Sequence, residues 1–303
     1  MIDITDKIKT KREATAFGKI KTTKAVVELI KENKIEKGNV LEVARVAGIM
    51  GAKKTSELIP LTHPIPIDFI SIDFSLEEDE IFIKVKTKTI WKTGIEMEAL
   101  TACAISALTI YDMIKPTKQY CEIKEIRLEE KKGGKSDFLD TFEEPLKACI
   151  LVISTSTYEG KREDKAGKII QKILEEYNLK IMNYSVLPDE KEKIKEYLKS
   201  WTEKGVNLII TTGGTGLGPN DLTVEASKEI VEKEVPGISE AMRAFGQERT
   251  PFSMLSRGIA GILKKTVIIN LPGSSKGAKE SLLALVPGLF HIFKMIEGGG
   301  HSQ

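Results

Sequence analysis

The side chains able to do chemistry in the first half of this chain are scattered: His63 in LIPLTHP, Glu96 and Glu98 in TGIEMEAL, Asp112 and Lys115 in IYDMIKP, and Lys135 in GGKS. None has the spacing of a metal or nucleophile motif. His63 precedes Pro64, which favours an extended loop; there an imidazole can donate a proton or bind an anion, or be merely structural. Asp112 and Lys115 stand three apart near a helix end and share a face. Toward solvent they make a modest ion pair; toward a cleft, a carboxylate beside a desolvated lysine is an acid and base pair suited to cyclisation. Lys135 follows two glycines, but Glu129 stands where Walker A needs its first glycine, so its functional reading is a simple phosphate clamp.

In the second half the chemistry gathers around VNLIITTGGTGLGPNDLT, Val206 to Thr223. The run Val206, Leu208, Ile209, Ile210 reads as a central strand buried on both faces. Gly213, Gly214, Gly216 and Gly218 then permit backbone conformations in which successive N–H groups converge on an anion. Thr223 is expected to cap a helix from Val224, whose N-terminus adds positive charge. Pro219 breaks GxGxxG and no Gly-Lys-Ser/Thr follows, so this is neither a dinucleotide fingerprint nor a P-loop. A close-packed turn is the alternative.

These groups need elements to hold them. An extended Arg12 to Ile20, helices over Thr23 to Ile30 and Val40 to Ala52, a hairpin around Ile70–Phe74 and Ile81–Val85, a helix over Ile95 to Ile114 and a strand over Tyr120 to Leu128 predict an α+β first half with a largely antiparallel sheet. KKGGKS reads as a mobile loop and LDTFEEPL, Leu139 to Leu146, as a linker, which places the domains at 1–140 and 146–303. Beyond it, strands at Ala148–Ile153, Ile181–Val186, Val206–Ile210 and Thr266–Leu271 alternate with helices, predicting a parallel, doubly wound α/β sheet.

Ligands of such sheets bind outside the carboxyl ends of the strands. The residues there are Ser154, Thr155 and Ser156; Pro188 and Asp189; the glycine loop with Asp221; and Pro272, Gly273, Ser274 and Ser275. Hydroxyls, backbone donors and two carboxylates are what a nucleoside triphosphate with magnesium requires. Asp189 with Glu192 also has capping-box spacing, and Asp221 suits a turn.

Composition narrows the classes. A formal charge of +2, from 46 basic and 44 acidic residues, and no local basic patch argue against nucleic-acid partners. Three cysteines without CxxC spacing fit neither a disulfide framework nor a zinc ribbon and suit a reducing cytoplasm. The N-terminus lacks a signal-type apolar core, and no uncharged run of about 18 residues occurs, so no membrane role is expected.

ISTSTYEG, LPDE, TTGGTGLGPNDLTVEA and NLPGSSKGAKES, in order, resemble the molybdopterin adenylyltransferase family of molybdenum cofactor biosynthesis, related to a domain of gephyrin, over about Lys147 to Phe293. The resemblance implies that molybdopterin and Mg-ATP yield adenylyl-molybdopterin and pyrophosphate. It makes Asp189 and Asp221 functional aspartates, with magnesium on Asp221, and Gly213, Gly214, Thr215, Gly216 and Ser274 substrate-binding. VARVAGIMGAKKTSELIPLTHP, KTGIEMEALTACAISALTIYDMIK and KKGGKSDF resemble the cyclic pyranopterin monophosphate synthase family over nearly all of Met1 to Phe138. That implies a ferredoxin-like α+β fold and conversion of 3',8-cyclo-7,8-dihydro-GTP to cyclic pyranopterin monophosphate with release of pyrophosphate, without a cofactor. Asp112 is then the acid/base and Lys115 its partner; Leu61, Thr62, His63, Met97 and Glu98 contact substrate, and Arg12, Lys37 and Lys135 are cationic contacts. Thr62 stands where many relatives have cysteine. A homo-oligomer is implied, hexameric or trimer-based, with the first half's sites at subunit contacts. The alternative is that only the first half is catalytic and the second is a molybdopterin-binding carrier or scaffold.

Overall fold

A computed structural model describes residues 1–298; the last five residues of the second expected domain lie outside the described residues. The chain divides into two compact units, one of Met1–Asp137 and one from Phe138 onward.

In the first unit, β1 (Thr10–Lys21) is followed by α1 (Lys24–Lys31), α2 (Val40–Lys53) and α3 (Thr55–Leu58), then by the hairpin β2 (Phe69–Glu77) and β3 (Glu80–Trp91), α4 (Glu96–Ile114) and β4 (Glu122–Lys132). Side chains cap the first two helices: Thr23 Oγ1 accepts from Val26 N and Asn39 Oδ1 from Glu42 N. The strands pair only antiparallel, in the order β2-β3-β1-β4. Alternate residues Ala14, Ala16, Ile20, Ile81, Ile83 and Val85 are buried beneath Ala99, Ala102, Cys103, Ala107, Ile110 and Ile114 of α4. Among the described residues, α4 is long and apolar enough to cross a membrane by length and composition alone; its apolar residues form this core.

Two expectations need correction. β4 starts two residues later than expected and runs through Lys131 and Lys132, so the first two residues of KKGGKS are strand. Its remainder is tied down: Thr10 Oγ1 donates to Gly133 O at 2.9 Å, and Gly133 N donates to Asp137 Oδ2 at 2.7 Å. Gly133 has φ +95°, and a Cβ there would meet Lys11 O at 1.7 Å, so the turn requires glycine.

The second unit contains β5 (Lys147–Ile153), α5 (Thr155–Tyr158), α6 (Ala166–Glu176), β6 (Lys180–Leu187), α7 (Lys191–Glu203), β7 (Leu208–Thr212), α8 (Thr223–Lys228), β8 (Lys233–Glu234), α9 (Pro236–Gln247), β9 (Ala260–Leu263), β10 (Thr266–Leu271), α10 (Ser275–Leu285) and α11 (His291–Ile296). The sheet order is β6-β5-β7-β10-β9-β8. The first four strands are mutually parallel, while β9 and β8 form an antiparallel edge that the expected all-parallel sheet lacks. Both are short, with no long apolar run to announce them. The central strands alternate between two cores, Ile150, Leu208, Ile210 and Ile269 against α6 and α10, and Cys149, Leu151, Ile209 and Ile268 against α7. The order reverses between β5 and β7, and that switch point opens a crevice at their carboxyl ends.

The expected linker is partly seated on this unit. Asp140 accepts from Lys294 Nζ at 2.6 Å and lies 3.0 Å from His291 Nδ1; Phe142 meets Phe293 edge-on at 6.5 Å. A fragment starting at Phe138 is therefore expected to melt ~1–6 °C above one starting at Leu146, since an aromatic pair is worth about 0.5–1.5 kcal/mol and each kcal/mol shifts a domain this size by ~2–4 °C. Equal melting temperatures of the two fragments would show the segment to be a plain tether.

Candidate functional sites

The first unit's charged candidates lie at the two ends of α4. At its carboxyl end, Lys37 Nζ donates to Asp112 Oδ2 at 2.7 Å and to Asp112 O at 2.9 Å. The expected Asp112–Lys115 pair is thus replaced: Lys37, delivered by the turn before α2, is the bonded partner. Lys115, in the turn that ends α4, acts on Asp112 through charge alone. The Lys37 hydrogen bond, its charge and that of Lys115 hold the Asp112 carboxyl below the usual range. The carboxylate is exposed, so it is ionised and open to a ligand.

At the amino end of α4, Glu98 is 2 % exposed and its Oε2 has no partner. Burial, reinforced by the nearby Glu96 charge, pushes its pKa up to about 7 against an opposing backbone hydrogen bond. Arg12 and Thr89 face each other across β1 and β3, and Arg12 Nε and Thr89 Oγ1 are likewise buried without partners. Desolvation lowers the Arg12 pKa, while Glu96 and Asp137 oppose it. Three orphaned polar atoms at one end of a core mark a place where a polar ligand belongs. The Gly133 turn fastens Lys135 to this end of β1, and Lys131 Nζ lies 3.7 Å from Glu96. Met97 is exposed on the first turn of α4. Leu61, Thr62 and His63 lie on the segment entering β2 where β3 ends, fixed by Ile90 N donating to Asp68 Oδ2. Leu61 is exposed, His63 is half-buried, and Thr62 Oγ1 donates to Ile59 O, which shapes the loop.

Thr89 and Lys131 escaped the sequence reading. Thr89 had a signal: period-2 alternation from Ile81, Ile83 and Val85 puts Thr87 and Thr89 on the buried face, where hydroxyls need a reason. Lys131 had none, because the β4 register decides its face.

In the second unit the four expected loops do meet at one edge. Asp189 Oδ2 accepts from Thr155 Oγ1 at 2.9 Å and Thr155 N at 3.2 Å, joining the loops after β6 and β5. Thr212 Oγ1 donates to Pro272 O at 2.7 Å, joining those after β7 and β10. Gly213 has φ +103° and a Cβ there would meet Ile153 O at 2.0 Å, so the loop crosses β5 where only glycine fits. A small crevice lined by Ser154, Thr157, Arg162, Lys165, Thr212 and Ser275 sits at this switch point. Ser274 caps α10, its Oγ accepting from Gly277 N at 3.1 Å.

The glycine loop departs from the expected cradle in two ways. Gly213 N donates to Leu271 O and Gly218 N to Asp221 Oδ2 at 2.7 Å, so these two amides are spent on the protein. Thr223 is the first residue of a six-residue α8 and caps nothing; its Oγ1 is buried, unpartnered, and pressed against Gly214. The short helix brings little dipole, and the loop's shape is held instead by Arg257. Its Nε donates to Gly216 O at 2.7 Å, Nη2 to Asp221 O at 2.9 Å, and its own N–H to Thr215 O at 3.1 Å, while Glu225 forms its ion pair. Glu225 stands two residues beyond the glycine stretch; Arg257 comes from the distant LSRG turn, with no local signal.

Residues 1–134 match the model of the MoaC family, and residues 149–291 that of a probable molybdopterin binding domain. A molybdenum cofactor biosynthesis bifunctional protein of Chlorobaculum tepidum is 39% identical over 302 residues, 100% of this chain and 96% of that one. A protein of the same description from Synechococcus elongatus is 35% identical over 318 residues, 100% of this chain and 99% of that one. The first half alone is 48% identical over 137 residues to a cyclic pyranopterin monophosphate synthase of Aquifex aeolicus, 45% of this chain and 54% of that one.

Proposed function

We propose, from the premise that this chain belongs to the family of bifunctional molybdenum cofactor biosynthesis proteins, that its two units catalyse two separate steps of that synthesis. The first converts 3',8-cyclo-7,8-dihydro-GTP to cyclic pyranopterin monophosphate and pyrophosphate; the second adenylylates molybdopterin with Mg-ATP. The observation that carries this reading is that each unit keeps an acidic and hydroxyl- or lysine-rich constellation open to a ligand: Lys37, Asp112 and Lys115 in one, and the Asp189 and Asp221 loops in the other.

In the first unit, Asp112 moves protons during ring closure, and the lysines neutralise the departing pyrophosphate. The antiparallel β-α-β-β-α-β arrangement, with strand order β4-β1-β3-β2, supports a ferredoxin-like reading. Helix α4, at about 1.5 Å per residue, sets Glu98 and Asp112 roughly 20 Å apart. One small substrate cannot use both ends of one protomer, so a second copy supplies the other half of the site, in keeping with a hexameric or trimer-based homo-oligomer.

In the second unit, a substrate oxygen attacks the α-phosphorus of ATP and pyrophosphate departs. Gly214, Thr215 and Gly216 face the phosphates, and Asp189 and Ser274 position substrate. Among the described residues no three metal-ligating side chains gather. That fits magnesium, which commonly takes one or two carboxylates and completes its shell with substrate phosphates and water. Asp221 offers its second oxygen, since Oδ2 serves Gly218. The bound ion would neutralise phosphate charge. The substrates are small molecules of a reducing cytoplasm, and neither nucleic acid nor membrane is a partner. Incubating the purified chain with each substrate in turn and following pyrophosphate and product by mass spectrometry tests both steps. Product from the first substrate only, with molybdopterin bound but unchanged, would make the second unit a carrier.

A further inference from the structure

We propose that Asn270, inside β10, is a positioning residue for adenylyl transfer: it fixes α8, and α8 holds the glycine loop and Asp221 in place. This rests on the adenylyltransferase reading of the second unit and adds to it a residue that touches neither substrate nor metal. Asn270 stands two positions after Ile268 and Thr211 two after Ile209, so their side chains share the sheet face of those isoleucines. Asn270, Thr211 and Ser227 are fully buried. The amide bridges three elements: Nδ2 donates to Thr211 Oγ1 of β7 and to Ser227 Oγ of α8, both at 2.9 Å. Its Oδ1 is buried without a partner. A half-satisfied amide in a core weakens the fold relative to an apolar side chain of its size, so stability alone gives no reason for it. Direction does: a hydrogen bond fixes where its partner sits, and apolar burial does not.

Helix α8 needs that direction. Six residues are too few to hold a helix by themselves, no side chain caps its N-terminus, and among the described residues it gives the apolar core of this face only Ala226. Thr223 and Ser227, four apart and both fully buried, put hydroxyls on its inner side instead. From α8 three ties run to the loop. Thr223 N donates to Gly214 O at 3.2 Å, Thr223 Oγ1 fills the space where a Cβ on Gly214 would stand, and Glu225 pairs with Arg257, which donates to Gly216 O and Asp221 O. A shift of α8 therefore passes to Gly214, Gly216 and Asp221, and ~1 Å of misplacement at a reacting group can cost ~10²-fold in rate. The bond to Thr211 carries none of this, because β10 and β7 are already paired from Val267–Leu208 to Leu271–Thr212.

The test compares, in the full chain, Ser227→Ala, which cuts the bridge to α8, Thr211→Val, which cuts the bridge to β7, and Asn270→Leu, which cuts both. Amide hydrogen exchange over residues 213–221 and adenylylation across a magnesium titration are read in each. Ser227→Ala and Asn270→Leu are expected to speed exchange in that loop at least ~10-fold, to lower kcat ~10–10²-fold and to raise the magnesium needed for half-maximal activity, with the KM for molybdopterin little changed. Thr211→Val removes the same kind of buried bond and should leave all of these at wild-type values. Because Asn270→Leu leaves two buried hydroxyls unpaired, the triple variant Asn270→Leu, Thr211→Val, Ser227→Ala keeps the test clear of unfolding: it should melt no lower than Asn270→Leu and still show the fast loop exchange. Loop exchange unchanged in Ser227→Ala, raised equally by Thr211→Val, or restored in the triple variant would each overturn the assignment. So would a wild-type kcat and magnesium response in a Ser227→Ala protein whose loop exchanges faster. Exchange needs no turnover, so the two readings fail separately. A wild type that does not adenylylate, with loop exchange that still follows Ser227, removes the transferase reading and leaves Asn270 setting the Asp221 loop.

Discussion

Asp112→Asn is expected to lower the rate of cyclic pyranopterin monophosphate formation by ~10²–10⁴-fold, the range for loss of a general acid or base, with adenylylation unchanged. The change keeps the side chain's shape and its hydrogen bond from Lys37 but removes the proton-carrying charge. Lys37→Ala gives a second reading of the same site. Its hydrogen bond is the largest cause of the low Asp112 pKa, so removing it lets that pKa rise. If the ionised carboxylate is the active form, the acid limb of the kcat/KM profile must move to higher pH. An unmoved limb, with near-normal turnover of Asp112→Asn, would return the group to a surface ion pair. Mixing Asp112→Asn with Arg12→Ala protomers checks the shared site. In an isologous pair each heterodimer rebuilds one intact site, so random mixing should recover about a quarter of wild-type activity. No recovery from properly mixed oligomers would place both ends of α4 at separate tasks.

The second large effect is expected at Asp221. Asp221→Asn can still accept from Gly218 N, and its backbone carbonyl still meets Arg257, so the turn survives while the charge is lost. A bare carboxylate near phosphate is repelled unless a cation lies between them, which ties the charge to magnesium. Adenylyl-molybdopterin formation should fall ~10²-fold or more, equivalent to about 2.7 kcal/mol of transition-state stabilisation, and half-maximal activity should need more magnesium. Molybdopterin binding and the first unit's reaction should be spared. Asp189→Asn, assayed beside it, is expected to act on substrate position through the broken contact with Thr155, without the magnesium shift. A wild-type rate and magnesium response in Asp221→Asn would leave Asp221 a turn residue, and a magnesium shift in Asp189→Asn instead would reassign the metal.

Local physics made much of this protein readable from its residues. The apolar periods of Ile81–Val85 and of α4, and the runs Ile150–Ile153 and Leu208–Ile210, depend on neighbours within a few positions, and each element formed where its pattern stood. The βα order of the second half likewise placed Ser154, Asp189, the glycine loop and Ser274 at one sheet edge, because parallel strands end on the same side. Tertiary structure decided the partners. Lys37 reaches Asp112 across 75 positions and Arg257 reaches Glu225 across 32, distances over which no sequence period exists. The same holds for the antiparallel β9 edge, the seating of Phe142 on Phe293, and the unpaired burial of Glu98. Whether a charged side chain is solvated, paired or left waiting for a ligand depends on what the rest of the chain packs around it, and only the fold supplies that.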